Sequence, residues 1–289
     1  MRYSKDFSDY KLLDANNLNR LEQWGNVVLI RPDPQVIWNK PCDQRLWGSA
    51  DAVYHRSNSG GGRWEILKKV PDVWSISYKG LTFMLKPMGF KHTGLFPEQA
   101  VNWDFMSDLI KNAGRPIRVL NLFAYTGGAT LACLKAGASV THVDASKGMV
   151  AWAKENAAAS GLSKCPVRWL VDDCRKFVLR EIRRGNRYDA IVMDPPSYGR
   201  GPNGEVWKLE QQLGELLSDV SKLMSNTPLF FLLNSYTAGI SPTILNYMVS
   251  SAFSDKKGGN TSTQEIGLKV EARNIILPAG NTTVWKLEK

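Results

Sequence analysis

The sequence predicts an α/β protein: a mostly parallel sheet with helices on both faces, preceded by a small β-rich region. Two textures and one interruption carry that expectation. Beyond about residue 90, continuous apolar runs alternate with amphipathic stretches, whereas before it the runs are short, aromatic and broken by turn residues. Near the C-terminus the alternation ends in two strand-like runs that suggest an antiparallel hairpin at the sheet edge. The expected division is a β-rich domain over 1–90 and an α/β domain over 91–289. At 43% hydrophobic residues the chain can fill both cores.

In the first region, 27–31, 36–38, 52–56, 64–68, 74–78 and 81–86 read as strands. Arg31-Pro-Asp-Pro34 and Ser59-Gly-Gly-Gly62 punctuate them. Trp24, Trp38, Trp47, Trp64 and Trp74 all fall here. They supply either a small β core or a stacking surface for unpaired bases, flanked by Arg56, Arg63, Lys68 and Lys69.

In the second region, helices are expected over 100–113, 128–136, 148–159, 175–184, 209–224 and 242–252. Strands are expected over 117–123, 139–143, 167–171, 190–193 and 229–233. The closing strands, 267–277 and 282–287, are expected to be joined through Pro278-Ala-Gly-Asn281, and 254–263 reads as a polar loop.

Composition narrows the classes. No apolar run is long enough for a membrane span, and the N-terminus lacks the apolar stretch of a signal peptide. Cys42, Cys133, Cys165 and Cys174 form no C-x-x-C pair, which argues against a zinc or disulfide framework and for a reducing cytoplasm. A net charge of +10 favours an anionic partner, nucleic acid first. Arg180, Arg183, Arg184 and Arg187 add a further basic cluster, or an ordinary solvated helix end.

Four strand ends carry the chemistry. Strand 117–123 runs into Gly127 and Gly128, which let backbone approach a ligand, yet the dinucleotide fingerprint G-x-G-x-x-G is absent. Asp144 ends the next strand, where a carboxylate can accept both hydroxyls of an adenosine ribose or cap the following helix. Asp172 and Asp173 end the third; one can take an adenine amino group while the other caps. Asp194-Pro-Pro-Ser-Tyr198 ends the fourth, and its prolines stiffen the exit into a rigid rim.

The set Asn121-Leu-Phe-Ala-Tyr-Thr-Gly-Gly128, Val143-Asp-Ala-Ser146, Asp172-Asp-Cys174 and Asp194-Pro-Pro-Ser197 resembles the class I methyltransferases, with their Rossmann-like sheet. More closely it resembles the 23S rRNA methyltransferase family that includes a cytosine-C5 enzyme. Lys91-His-Thr-Gly-Leu-Phe-Pro-Glu-Gln99 is similar to that family's K-T-G-x-x-x-D-Q-R motif, and Gly199-Arg-Gly-Pro-Asn-Gly-Glu-Val-Trp207 to a bacterial branch. The resemblance covers roughly 88–240. It implies an S-adenosylmethionine-dependent methyltransferase acting on ribosomal RNA; the aromatic-rich region 1–90 is expected to be its substrate-recognition domain. Phe96, Gln99, Asn121 and Phe123 would line the cofactor pocket. Ala124, Tyr125, Thr126, Gly127 and Gly128 would lie against the methionine part. Asp144 would hold the ribose and Asp173 the adenine, with Ala145, Ser146, Asp172 and Cys174 also counted among the cofactor-binding residues. Asp194 would sit beside the methyl group, with Pro195, Pro196 and Tyr198 framing the target base. No metal is implied.

One departure bears on the reaction. Methylation at C5 of a pyrimidine needs a nucleophile at C6, which similar enzymes supply as a cysteine thiolate. Here Ser197 and Ser235 stand in the two motifs concerned, and no cysteine follows Cys174. The expectation therefore favours a base nitrogen over C5. A non-RNA substrate, a nicotinamide-dependent oxidoreductase on a similar sheet and a non-catalytic RNA-binding protein are the alternatives.

Overall fold

A computed structural model describes residues 1–288 apart from 58–60, 201–203, 205 and 238, and omits the side chain of Arg200. Part of the Ser59–Gly62 turn, and most of the segment between Arg200 and Val206, thus lie outside the described residues. The chain forms two compact units: one of Met1, 3–100 and 267–278, the other of Arg2, 101–266 and 279–289. The division falls at Ala100 rather than at the expected residue 90, and the C-terminal stretch 267–278 goes with the first unit.

The first unit contains β1 (Tyr10–Asn16), β2 (Asn19–Trp24), β3 (Val27–Pro32), α1 (Gln44–Trp47), β4 (Ala52–Arg56) and β5 (Gly62–Ile66), with a separate hairpin of β6 (Trp74–Tyr78) and β7 (Leu81–Leu85). β1, β2 and β3 form an antiparallel meander, β4 joins β3 in parallel, and β5 closes antiparallel on β4. A register shift between Leu12 and Asp14 marks a bulge in β1, which turns both Asp14 and Ala15 inward. The two strands that hydrophobic pattern does not reveal, β1 and β2, carry buried Asp14, Arg20 and Glu22. The expected strand 36–38 pairs with no other strand; its carbonyls at Val36 and Trp38 accept from Leu18 and Asn17, and Ile37 is 82% exposed.

Of the five tryptophans Trp24 is fully buried and the other four are half-buried. None is exposed, and Trp38, Trp47, Trp64 and Trp74 donate their indole N–H to Ala15 O, Asp14 Oδ2, Met88 O and Trp24 O. An indole so tied is held in one position. Arg56, Arg63, Lys68 and Lys69 are exposed.

The second unit follows the expected alternation closely: α2 (Ala100–Lys111), β8 (Arg118–Leu122), α3 (Gly128–Lys135), β9 (Ser139–Asp144), α4 (Lys147–Ala159), β10 (Val167–Val171), α5 (Cys174–Arg183), β11 (Ala190–Met193), then α6 (Leu209–Ser221), β14 (Phe230–Ser235) and α7 (Pro242–Ala252). A short hairpin, β12 (Tyr198–Arg200) with β13 (Val206–Lys208), intervenes after β11. Strands run in the order β10-β9-β8-β11-β14, all parallel. β11 and β14 are buried throughout, as strands covered on both faces must be. Leu120, Leu122, Ile191, Met193, Phe231 and Leu233 pack on one face against Phe177 of α5, Leu213 and Leu217 of α6 and Val249 of α7. The chain walks from β8 outward to β10 and returns on the other side of β8 as β11. That reversal is the switch point where open α/β sheets bind ligands.

The C-terminal hairpin is real, but its turn is not where expected. Strands β15 (Gly259–Val270) and β16 (Ile275–Leu287) are joined by Glu271-Ala-Arg-Asn274, so Pro278-Ala-Gly-Asn281 lies inside β16 and 259–263 is strand, not loop. β16 pairs antiparallel with β14 only from Asn281 onward, so Pro278 sits beyond that ladder, where its missing N–H breaks no bond to β14. Nor is the hairpin an edge: within the first unit β15 pairs in parallel with β1, Val270 opposite Leu12. Among the described residues no helix is long and apolar enough to cross a membrane.

Candidate active site at the strand ends

The turn after β8 is built under strain and braced from three sides. Phe123 and Tyr125 hold positive φ (55° and 50°), which costs a non-glycine residue energy and persists only where neighbours enforce it. Ala124 N donates to Val143 O, Tyr125 N to Asp144 Oδ2, and Asn156 of α4 donates its Nδ2 to Thr126 O. Gly127 is the left-handed N-cap of α3, and a Cβ there would stand 3.0 Å from that of Ala153. At Gly128 a Cβ would stand 2.7 Å from Trp103 Cζ2. Both glycines are thus required by packing inside the protein, whatever binds outside it.

Beneath the turn, Asn121 Nδ2 donates to Thr130 Oγ1, which faces His142 Nδ1 at 2.9 Å. All three are buried, so Asn121 supports the turn from below. Burial pushes the His142 imidazole down to about 3, leaving it neutral. His142 Nε2 has no hydrogen-bond partner, and the ring lies 4.8 Å from that of Trp169, centroid to centroid.

Asp144, at the end of β9, accepts from Tyr125 N and Ser146 N, both at 2.8 Å. Burial pushes its carboxyl up, against these two donors. An ionised carboxylate offers about four lone-pair positions, so two remain for a ligand. Ala145 is half-buried and Ser146, exposed, caps α4 through Met149 N. At the end of β10 the two acids divide the work: Asp173 caps α5 by accepting from Lys176 N, and Asp172 pairs with Arg180. Of the basic cluster, Arg184 likewise pairs with an acid, the buried Glu181. Cys174 accepts from Phe123 N through Sγ (3.2 Å) and points at Val143 O. Burial, and then the nearby acids, push its thiol well above the ordinary range, opposed only by the Phe123 N–H. It is a neutral tie between the ends of β8 and β9.

Asp194, half-buried at the end of β11, accepts from Asn234 Nδ2 at 3.2 Å. Pro195 is buried, Pro196 exposed, and Tyr198 is 53% exposed. Two residues missed by the sequence reasoning complete this rim. Trp207 donates to Pro196 O (2.6 Å) and packs its ring 5.3 Å from Phe123, so it ties the fourth strand end to the first. Asn234 holds Asp194. Ser197 Oγ lies 2.6 Å from Thr237 Oγ1. Phe96 and Gln99 belong to the first unit, where Phe96 precedes the short helix Pro97–Gln99. Among the described residues no group of His, Cys, Asp and Glu is placed to hold a metal ion.

A family model described as S-adenosylmethionine-dependent methyltransferase matches residues 49–245. The chain belongs to this family. Its cofactor is S-adenosylmethionine, and the nicotinamide alternative falls. The SAM-dependent methyltransferase from Agrobacterium tumefaciens is 35% identical, with a TM-score of 0.93 over 99% of this chain and 93% of that one. A protein from Streptococcus mutans, 17% identical, shares the fold (TM-score 0.76, covering 98% of this chain and 76% of that one). The ribosomal RNA large subunit methyltransferase K/L of Shewanella frigidimarina is 35% identical over 148 residues, 50% of this chain and 20% of that protein. Its counterpart in Pseudoalteromonas atlantica is 32% identical over 193 residues, 66% of this chain and 26% of that protein. The chain therefore matches only about a fifth to a quarter of the length of these curated relatives. The residues present fit the cofactor: Asp144 keeps acceptor capacity beside the turn after β8.

Proposed function

We propose that the chain methylates a base nitrogen of ribosomal RNA, with the end of β11 as the reacting edge. The bound cofactor supplies an electrophilic methyl group on a sulfonium. Asp144 offers its remaining lone pairs to the ribose hydroxyls, and the strand end at Asp172 and Asp173 offers acceptors to the adenine. Asp194 accepts a hydrogen bond from the N–H of the target, aims that nitrogen at the methyl group and takes up the proton it sheds. Pro195 and Pro196 fix the rim, and the half-exposed ring of Tyr198 gives the base a face to stack on. The net positive charge and the names of the curated relatives support RNA, and a cytoplasmic site goes with that substrate.

The observation that carries nitrogen over carbon is the state of the thiols. Cys174, the thiol at these strand ends, is buried and spent on the backbone, and burial pushes Cys133 up to about 12. Cys165 precedes β10 at its opposite end, Cys42 belongs to the first unit, and the rim itself holds serines. Transfer of labelled methyl groups to bulk RNA, followed by nucleoside analysis, tests the reading. Label is expected in an N-methylated nucleoside; 5-methylcytidine, or label in protein alone, overturns it. Asp194→Ala should lower kcat by roughly 100-fold or more, as loss of a proton acceptor does, while cofactor affinity measured by calorimetry stays within about threefold. Equal loss of both would contradict the role given to Asp194.

A further inference from the structure

A row of hydrogen bonds ends on Asp194. Nη1 of Arg2 donates to Oδ1 of Asn102 (3.4 Å), and Nδ2 of Asn102 donates to Oγ1 of Thr282 (2.9 Å). The Thr282 hydroxyl donates to Oδ1 of Asn234 (3.0 Å), and Nδ2 of Asn234 donates to Oδ1 of Asp194 (3.2 Å). Asn102, Thr282 and Asn234 are each 1% exposed. Its two ends fix its direction, because a guanidinium only donates and an ionised carboxylate only accepts. Each amide therefore has one orientation, and the single Thr282 proton has one destination. Bonds aligned in this way polarise one another in a medium of low dielectric. The outer end is anchored too: Arg2 N donates to Glu265 O, its Nη2 to Val101 O, and its guanidinium lies 5.3 Å over the Phe105 ring.

Burying three uncharged polar side chains in a row gains little stability over apolar packing, since each must first give up water. What the row supplies is direction. We propose that Asn234, oriented through Thr282 and Asn102 from Arg2, is a positioning residue that holds the Asp194 carboxylate in the rotamer used for methyl transfer. This rests on the reading of Asp194 as the group beside the acceptor atom. The row acts through Asp194 and touches neither cofactor nor substrate.

Thr282→Val keeps the shape and removes the hydroxyl, whereas Thr282→Ser keeps the hydroxyl. Turnover is measured with labelled S-adenosylmethionine on bulk RNA and, in parallel, on protein and metabolite extracts. Transfer by the wild type to a non-RNA acceptor would overturn the RNA reading while still scoring the row. T282V is expected to lower kcat by about tenfold with KM and cofactor Kd within about threefold, the pattern of an interaction realised only in the transition state. T282S should restore most of the rate. Should T282V fail to fold, Arg2→Met at the half-buried outer end decides, with an expected fall in kcat of about threefold at unchanged cofactor affinity. Unchanged kcat in the folded variant overturns the proposal. So does an equal loss in T282V and T282S with cofactor affinity falling alongside, because a scaffold role alone would give that.

Discussion

In the first unit, Glu22 lies at 0% exposure with Arg31 bound to both its oxygens (2.6 and 2.8 Å), Arg20 3.8 Å away and the Tyr10 hydroxyl donating at 2.7 Å. In the second, Asn102, Thr282 and Asn234 are as deep and carry no charge. Both sets bury polar atoms, Arg20 Nε of the first being left without a hydrogen-bond partner, and they respond differently to damage. An ion cluster is held by mutual neutralisation, so removing one member leaves the others uncompensated in a poor solvent. A row of dipoles loses only alignment when one member goes, and what it aligns is a group at the active site. The ions therefore guard the fold of their unit, while the dipoles guard geometry.

The sharpest way to break this contrast is Glu22→Gln. Leaving Arg31 buried without its carboxylate, and Arg20 with Asp33 alone, should cost about 3–5 kcal/mol, read by denaturant unfolding. Burial pushes the Glu22 carboxyl up, but Arg20 and Arg31 outweigh it and hold it at about 2, below the ordinary 4.5. The unfolded chain thus binds this proton first, and the stability that the carboxylate lends is lost as pH falls from 4.5 towards 2. The Gln variant should lack that loss, and an identical acid profile would refute it. Next comes Asp144→Ala. Two charge-assisted hydrogen bonds at about 1.5–3 kcal/mol each imply a fall in cofactor affinity of roughly 100-fold or more. Because Tyr125 N and Ser146 N lose their acceptor, stability should also fall by about 1–3 kcal/mol. Unchanged affinity by calorimetry would remove Asp144 from the site.

The same contrast explains what the sequence disclosed. In the second unit, strands such as Ala190–Met193 are apolar throughout because both faces are covered, and their helices keep an apolar stripe, so the alternation is legible to within a few residues. In the first, β1 and β2 turn Asp14, Arg20 and Glu22 inward, and a bulge breaks the period, so no hydrophobic pattern marks them. At the C-terminus Pro278 and Gly280 mimic a turn, yet both sit inside β16. The acids at the strand ends were legible because their signal is local: an apolar run, then a carboxylate. Asn234 was not, since its partners are Asp194 and Thr282, far away in the chain. Trp207 escaped for the same reason, its neighbour Phe123 lying on another strand end.

Two smaller changes sharpen the contrast within the second unit. Gly128→Ala drives a Cβ to 2.7 Å from Trp103 Cζ2, a collision with a buried ring that cannot swing away. Overpacking of this kind costs about 1–3 kcal/mol, read as a shift of the denaturation midpoint; a midpoint like that of the wild type would mean that Trp103 can yield.

The mildest change carries the most chemical information. Cys174 accepts from Phe123 N and faces Val143 O, and serine offers the same acceptor and donor at a slightly shorter reach. Cys174→Ser should therefore cost about 1 kcal/mol, the scale of one internal hydrogen bond, and leave methyl transfer within about twofold of the wild type. Were the thiol a nucleophile adding to a pyrimidine, the same variant would lose most of its turnover, since serine without a dedicated base is a poor nucleophile at neutral pH. The structure speaks against that outcome on two counts. Burial holds the thiol in its neutral form, and its Sγ is directed into the sheet towards Phe123 and Val143. A retained rate in Cys174→Ser would make carbon methylation through this thiol untenable, leaving Asp194 and its oriented carboxylate as the chemistry of the rim.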